Sequence, residues 1–142
     1  MKRGLERKLL ITGSVWNLII ALLTMFSYNS WFNREGAKQL EQVDGNVALA
    51  GSQMLNNISS VIFIFGLFTL VGAIINFLVA TKLRDNEIQK GVMIWVGIWA
   101  VIQLISMDIV GFLIYMFAFI MYTAKNKAIK LADPKVNKIV GV

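Results

Sequence analysis

Proton transfer, nucleophilic attack and metal binding draw on His, Cys and sequestered carboxylates. This sequence of 142 residues holds no His, no Cys and eight Asp and Glu. Glu6, Asp85, Glu87 and Asp133 stand near Lys or Arg and read as solvated ion partners. Asp108 alone is flanked on both sides by long apolar sequence. A lone carboxylate is costly at mid-bilayer and cheap at an interface, so Asp108 reads as a turn residue, with proton or cation handling as the competing reading. No Gly-rich phosphate loop, metal-ligand spacing or nucleophile elbow is present. The expectation is a protein that is not an enzyme and holds no cofactor and no metal.

Other polar side chains lie inside apolar runs, at helical spacing. Gly13, Asn17, Ala21 and Thr24 fall on one face of a 3.6-residue helix, as do Gly66, Thr69, Ala73 and Asn76, and Gly111, Tyr115, Ala118 and Tyr122. In the third run Gly97, Ala100 and Leu104 share a face with Gln103 at its margin, while Trp95 and Trp99 point the other way. Small residues let helices approach closely in lipid, and Asn, Gln and Thr hydrogen-bond across the contact for about 0.6–2 kcal/mol each. Asn17, Thr24, Thr69, Asn76, Gln103 and Tyr115 are therefore expected as intramembrane packing contacts, the alternative being a polar path. By helix rise, Asn17 lies roughly 12 Å and Asn76 roughly 6 Å from the inner edge, with Gln103 and Tyr115 toward the outer half. That spread favours packing, and no proline breaks any span as a midplane ion site would require.

The elements that must position these residues are four apolar segments, at about residues 9–28, 58–80, 91–107 and 109–124. The composition agrees: 57% hydrophobic, 15% charged, mean hydropathy +0.67. One helix from 91 to 124 would reach about 51 Å, so the last two segments are separate helices joined at Asp108. Of the fourteen Lys and Arg, all but Arg34 and Lys38 fall in segments on one side of such a bundle. Positive charge stays cytoplasmic, so both termini are expected inside. The net charge of +6 follows from that bias, and no interleaved basic and aromatic surface suggests nucleic acid. The first segment lacks a small-residue cleavage site and reads as a retained anchor rather than a signal peptide.

The fold class predicted is an all-α integral membrane four-helix bundle forming one domain. Residues 29–57 form its one long outer loop, and 125–142 its cytoplasmic tail. Within the loop, Ala37, Leu40, Val43 and Val47 recur at helical spacing and mark an amphipathic, partner-contacting piece. Asp44-Gly45 is a turn signal, and Asn46 a candidate cap for a helix running into the second segment. The connector 82–90 looks like a plain helix–helix link. Trp31 and Trp95 fit an aromatic belt, whereas Trp99 faces lipid or a partner. In the tail, Lys125, Lys127, Lys130, Lys135 and Lys138 are expected to contact anionic lipid.

The order of basic start, helix, outer loop, three closely spaced helices and lysine-rich end, with Asp108-Ile109-Val110-Gly111-Phe112-Leu113-Ile114 opening the last helix, resembles small uncharacterised four-helix membrane proteins of Gram-positive bacteria. The resemblance implies a cell-membrane location, and those families have no assigned activity to transfer. The layout also resembles the claudin-like topology, but that family's paired outer-loop cysteines are absent, which argues against it. Function is expected through helix packing and outer-loop contact with another membrane protein or a second copy. The roles that fit are accessory subunit, immunity-type protector or scaffold, the alternative being a small oligomeric transporter or holin-like pore.

Overall fold

The computed structural model describes residues 2–85 and 87–132, and every regular element among them is helical. α1 (Gly4–Leu22), a π-helical stretch (Leu23–Tyr28) and α2 (Asn29–Leu40) run on as one 37-residue helix, Gly4–Leu40. α3 (Gly45–Thr81) also has 37 residues, α4 (Lys90–Ile105) has 16 and α5 (Ile109–Leu131) has 23. Gly4–Leu40, α3 and α5 are long and apolar enough to cross a membrane, and α4 is a shorter apolar helix.

The boundaries correct the sequence reading in one important place. The loop expected over 29–57 is helical on both sides, and only residues 41–44 turn the chain. The stretch is polar but holds no proline and carries three each of Ala, Leu and Gln, so each long helix propagates through it without a new nucleation cost. α3 starts at Gly45, one residue before Asn46, with the Ala48 N–H donating to the Asp44 carbonyl at 2.9 Å. The tail is likewise helical as far as Leu131, well past the expected end at 124.

The chain divides into two compact units, one of Asn17–Ala73 and one of the residues before and after it. In the unit Asn17–Ala73 the long helices form a hairpin. Its buried positions include Asn17, Ala21 and Met25 on one arm and Gly66, Thr69 and Ala73 on the other. At Gly66 a β-carbon would lie 3.3 Å from the Ala21 carbonyl oxygen and 3.3 Å from the Met25 nitrogen, so the arms meet backbone to backbone. Nearer the turn the arms lock by leucine on glycine, Leu55 over Gly36 and Leu40 over Gly51. Between these levels lies a polar clasp. Asn33 Nδ2 donates to Ser59 Oγ at 2.8 Å and to the Asn29 carbonyl at 2.9 Å, and the Ser59 hydroxyl donates to Asn29 Oδ1 at 2.5 Å.

In the other unit, the start of α1, the end of α3, α4 and α5 surround a core that includes Leu10, Ala80, Val96, Trp99, Tyr115 and Tyr122. α4 and α5 are joined over three residues. The Asp108 N–H donates to the Gln103 carbonyl at 3.0 Å and the Met107 N–H to the Leu104 carbonyl at 3.1 Å, a Schellman ending. Met107 takes the left-handed position at φ 57°, where glycine is usual. Asp108 then caps α5, its carboxylate accepting from the Gly111 N–H at 2.9 Å.

Two substitutions should move stability in opposite directions. Met107→Gly relieves the left-handed strain and should raise unfolding free energy by about 0.5–1 kcal/mol. Gly66→Val should lower it by about 1–3 kcal/mol by forcing the hairpin arms apart. Thermal unfolding in detergent, read by circular dichroism, checks both, and Gly45→Ala, with open space around it, serves as a neutral control.

Candidate functional site

Polar side chains collect at three places in the unit formed by the chain ends. Innermost is Asn76, fully buried near the end of α3. Its amide donates to the Tyr115 hydroxyl of α5 at 3.0 Å, and its carbonyl accepts from Trp95 Nε1 of α4 at 2.7 Å. Trp99 stacks on Trp95 with ring centroids 5.8 Å apart and lies beside the Tyr115 hydroxyl. The Tyr115 ring fits over Gly13, where a β-carbon would lie 2.8 Å from ring carbon Cζ. All four helical segments therefore meet at one node.

This arrangement overturns two expectations. Asn76 and Tyr115 were expected at different depths, yet they touch. The buried face of α4 carries Val96, Trp99, Ala100 and Gln103, rather than Gly97, Ala100 and Leu104. Leu104 is exposed, and Trp99, expected to face lipid or a partner, is 2% exposed. The helix turns this way because inward-facing indoles bury the largest surface and find partners for their N–H groups. Trp95, half-buried, is accordingly a member of this network.

A second place is the α4–α5 turn. Trp16 Nε1 donates to Asp108, 3.0 Å from both carboxylate oxygens. Gln103 is buried beside it, its side-chain oxygen 2.6 Å from where a β-carbon on Gly111 would sit. Asp108 is thus occupied by a helix cap and an indole N–H.

The third place is a charged clasp where the N-terminal segment, the connector 82–89 and α5 meet. Arg3 is fully buried, with its guanidinium 4.0 Å above the Tyr122 ring. Arg3 Nη2 donates to Asn126 Oδ1 and to the Glu87 carbonyl, each at 2.6 Å, and its backbone N–H donates to Asp85 at 2.8 Å. Glu6, expected to be solvated, is buried and accepts from Lys125 Nζ at 2.7 Å. Arg3 Nη1 stands 4.0 Å from Glu6 Oε1, too far for a hydrogen bond. Arg7 donates to the Leu83 carbonyl at 2.7 Å, and the Tyr122 hydroxyl both accepts from and donates to the Gln89 backbone. The connector read as a plain link is fastened at Leu83, Asp85, Glu87 and Gln89. Lys125, expected on anionic lipid, is instead a partner of Glu6 and of the Lys2 carbonyl.

Sequence reasoning missed Arg3 and Glu6, although a signal was present. Extending the stripe of Ala21, Asn17 and Gly13 backwards by three and four residues lands on Leu10, Glu6 and Arg3, all buried.

The remaining expected residues divide between the units. Asn17 and Thr69 are buried and Thr24 is half-buried in the π-helical stretch. The Thr69 hydroxyl donates to the Phe65 carbonyl of its own helix at 3.0 Å, so that bond does not cross to the other arm. Ala37, Leu40, Val43 and Val47 do not share one helical stripe, because the turn at 41–44 interrupts it. Leu40 packs inward on Gly51, while Ala37, Val43 and Val47 are exposed. Lys127 and Lys130 are exposed on α5, and Lys135 and Lys138 lie outside the described residues.

The geometry defines an all-helical protein with three helices fit to cross a membrane and no metal-ligand cluster among the described residues. Compared with protein-family models, curated proteins and solved structures, the chain matches none of them.

Removing one partner of a buried charge pair costs far more than removing one of an exposed pair. Arg3→Ala should therefore destabilise by about 3–5 kcal/mol. Arg84→Ala, which breaks the exposed Arg84–Glu87 pair, should cost about 0.5 kcal/mol or less. Denaturant titration of the two variants in the same micelle measures the contrast.

Proposed function

We propose that the chain is a non-enzymatic integral membrane protein of the bacterial cell membrane, with both termini cytoplasmic. It acts through helix packing and through contacts made by the helical hairpin of residues 29–57. The role is that of an accessory subunit, an immunity-type protector or a scaffold, and its partner is another membrane protein or a second copy.

The carrying observation is the division of each long helix into an apolar part and a polar continuation. Residues 9–28 and 58–80 supply roughly 30–35 Å of apolar helix, the thickness of a hydrocarbon core. The polar continuations, 12 residues in α2 and the first part of α3, add about 18–20 Å beyond it. A connector between antiparallel helices needs only a few residues, so this projection supports a role in contact. It also presents apolar side chains to its surroundings, with Val47 58%, Leu49 68% and Met54 64% exposed. Val47 and Met54 are seven residues apart and so share one face of α3. Full burial of Asn76 and Tyr115 within one network supports packing over a conducting path.

With no native Cys, single cysteines can be placed on a clean background. Lys38→Cys and Gly45→Cys should react with an impermeant thiol reagent in intact cells, and Arg84→Cys and Lys127→Cys should not. In pull-downs from native membranes, Val47→Ser with Met54→Ser should reduce partner recovery while insertion stays normal. Labelling of Arg84→Cys from outside, or unchanged recovery with the hairpin pair, contradicts this reading.

A further inference from the structure

Three lysines converge on one cavity between α4 and α5. Lys90 opens α4, Lys127 and Lys130 lie one turn apart on α5, and with Thr123 and Asn126 they line a recess of about 310 Å³. None of the three lysines forms an ion pair among the described residues, unlike Lys125 beside them. Like charges gathered without counter-charge repel one another, and an anion among them removes that cost. The start of α4 adds to the field, because no side chain caps its first amides and a helix N-terminus carries partial positive charge.

A second cavity adjoins the first. Met93 lines both, and from it an apolar groove of about 450 Å³ follows the α4–α5 seam past Gly97, Val101 and Phe119. The missing side chain at Gly97 opens its floor, and the Phe119 ring forms a wall, 3.1 Å from where a β-carbon on Gly97 would lie. A cationic recess that shares Met93 with an apolar groove is complementary to a molecule with an anionic head and a hydrocarbon chain.

We propose that the α4–α5 face holds one anionic phospholipid, its phosphate among Lys90, Lys127 and Lys130 and one acyl chain in the groove past Gly97. The proposal rests on the reading of the chain as a membrane protein, which places this end of the seam at the inner leaflet. It replaces a diffuse attraction of the lysine tail with one site of fixed composition. Charge complementarity selects an anionic headgroup over a zwitterionic one, and the groove selects lipid over soluble phosphate.

Native mass spectrometry of the delipidated full chain in detergent, offered dioleoyl phosphatidylglycerol and dioleoyl phosphatidylcholine together, tests it. One phosphatidylglycerol per protein should be retained in preference to phosphatidylcholine. Lys127→Gln and Lys130→Gln should each weaken that retention about fivefold, the loss expected for one lysine–anionic lipid attraction. Val101→Trp, which fills the groove from its exposed side, should weaken retention of the same lipid, while Lys8→Gln should leave it unchanged. Inorganic phosphate should fail to compete. Equal retention of the two lipids by the unmodified chain, equal loss with Lys8→Gln, or displacement by inorganic phosphate would each overturn the site. Comparing lipids on the unmodified chain keeps the outcome independent of whether any variant folds. Release of the chain from native membranes by alkaline carbonate would mark failure of the membrane reading itself.

Discussion

Asn76 is the side chain on which the packing of the chain-end unit depends. An amide buried among apolar helices must find partners for both its ends, and the two it finds lie on different helices, Tyr115 of α5 and Trp95 of α4. That requirement fixes the rotation of α4, since Trp95 and Trp99 must face inward. It also fixes the height of α5, which brings the Tyr115 ring over Gly13 of α1. In lipid such a bond has a modest net worth, because the separated helices can find other partners. Its weight lies in specifying one arrangement among many that apolar surfaces alone would tolerate.

The charged clasp does comparable work at the end of the same unit. Burial of Arg3 and Glu6 is expensive, and the surrounding Asn126, Lys125, Tyr122 and connector carbonyls offset only part of the cost. The return is positional: the connector, the N-terminal segment and α5 are held in register by groups that fit in one way. Lys125 is tied to Glu6, whereas Lys127 and Lys130 line the recess beside α4.

Much of this was legible as periodicity. Gly66, Ala73, Asn76, Gly111, Tyr115, Ala118 and Tyr122 are buried, and the spacing of small and polar residues places them on inward faces. What escaped were features that depend on partners distant in sequence. Trp99 is apolar enough to face lipid, and only the hydroxyl of Tyr115 and the ring of Trp95 make an inward position better. Arg3 looks solvated until Asn126 and Glu87 are brought beside it, and Glu6 until Lys125 is, over more than 80 residues of sequence. Residues 29–57 read as a loop because they are polar, and polarity alone does not distinguish an exposed helix from irregular chain. Helix propensity and the leucine-on-glycine contacts at Gly36 and Gly51 carry both helices through it.

The central claim is that the polar interior is a packing node joining three helices through Asn76. A double-mutant cycle on Asn76→Leu and Tyr115→Phe, measured by equilibrium unfolding in one micelle, isolates that link. The account predicts a coupling energy of about 0.6–2 kcal/mol between the two sites, with the double variant less destabilised than the sum of the singles. Strict additivity would contradict it, because the two side chains would then contribute without depending on each other.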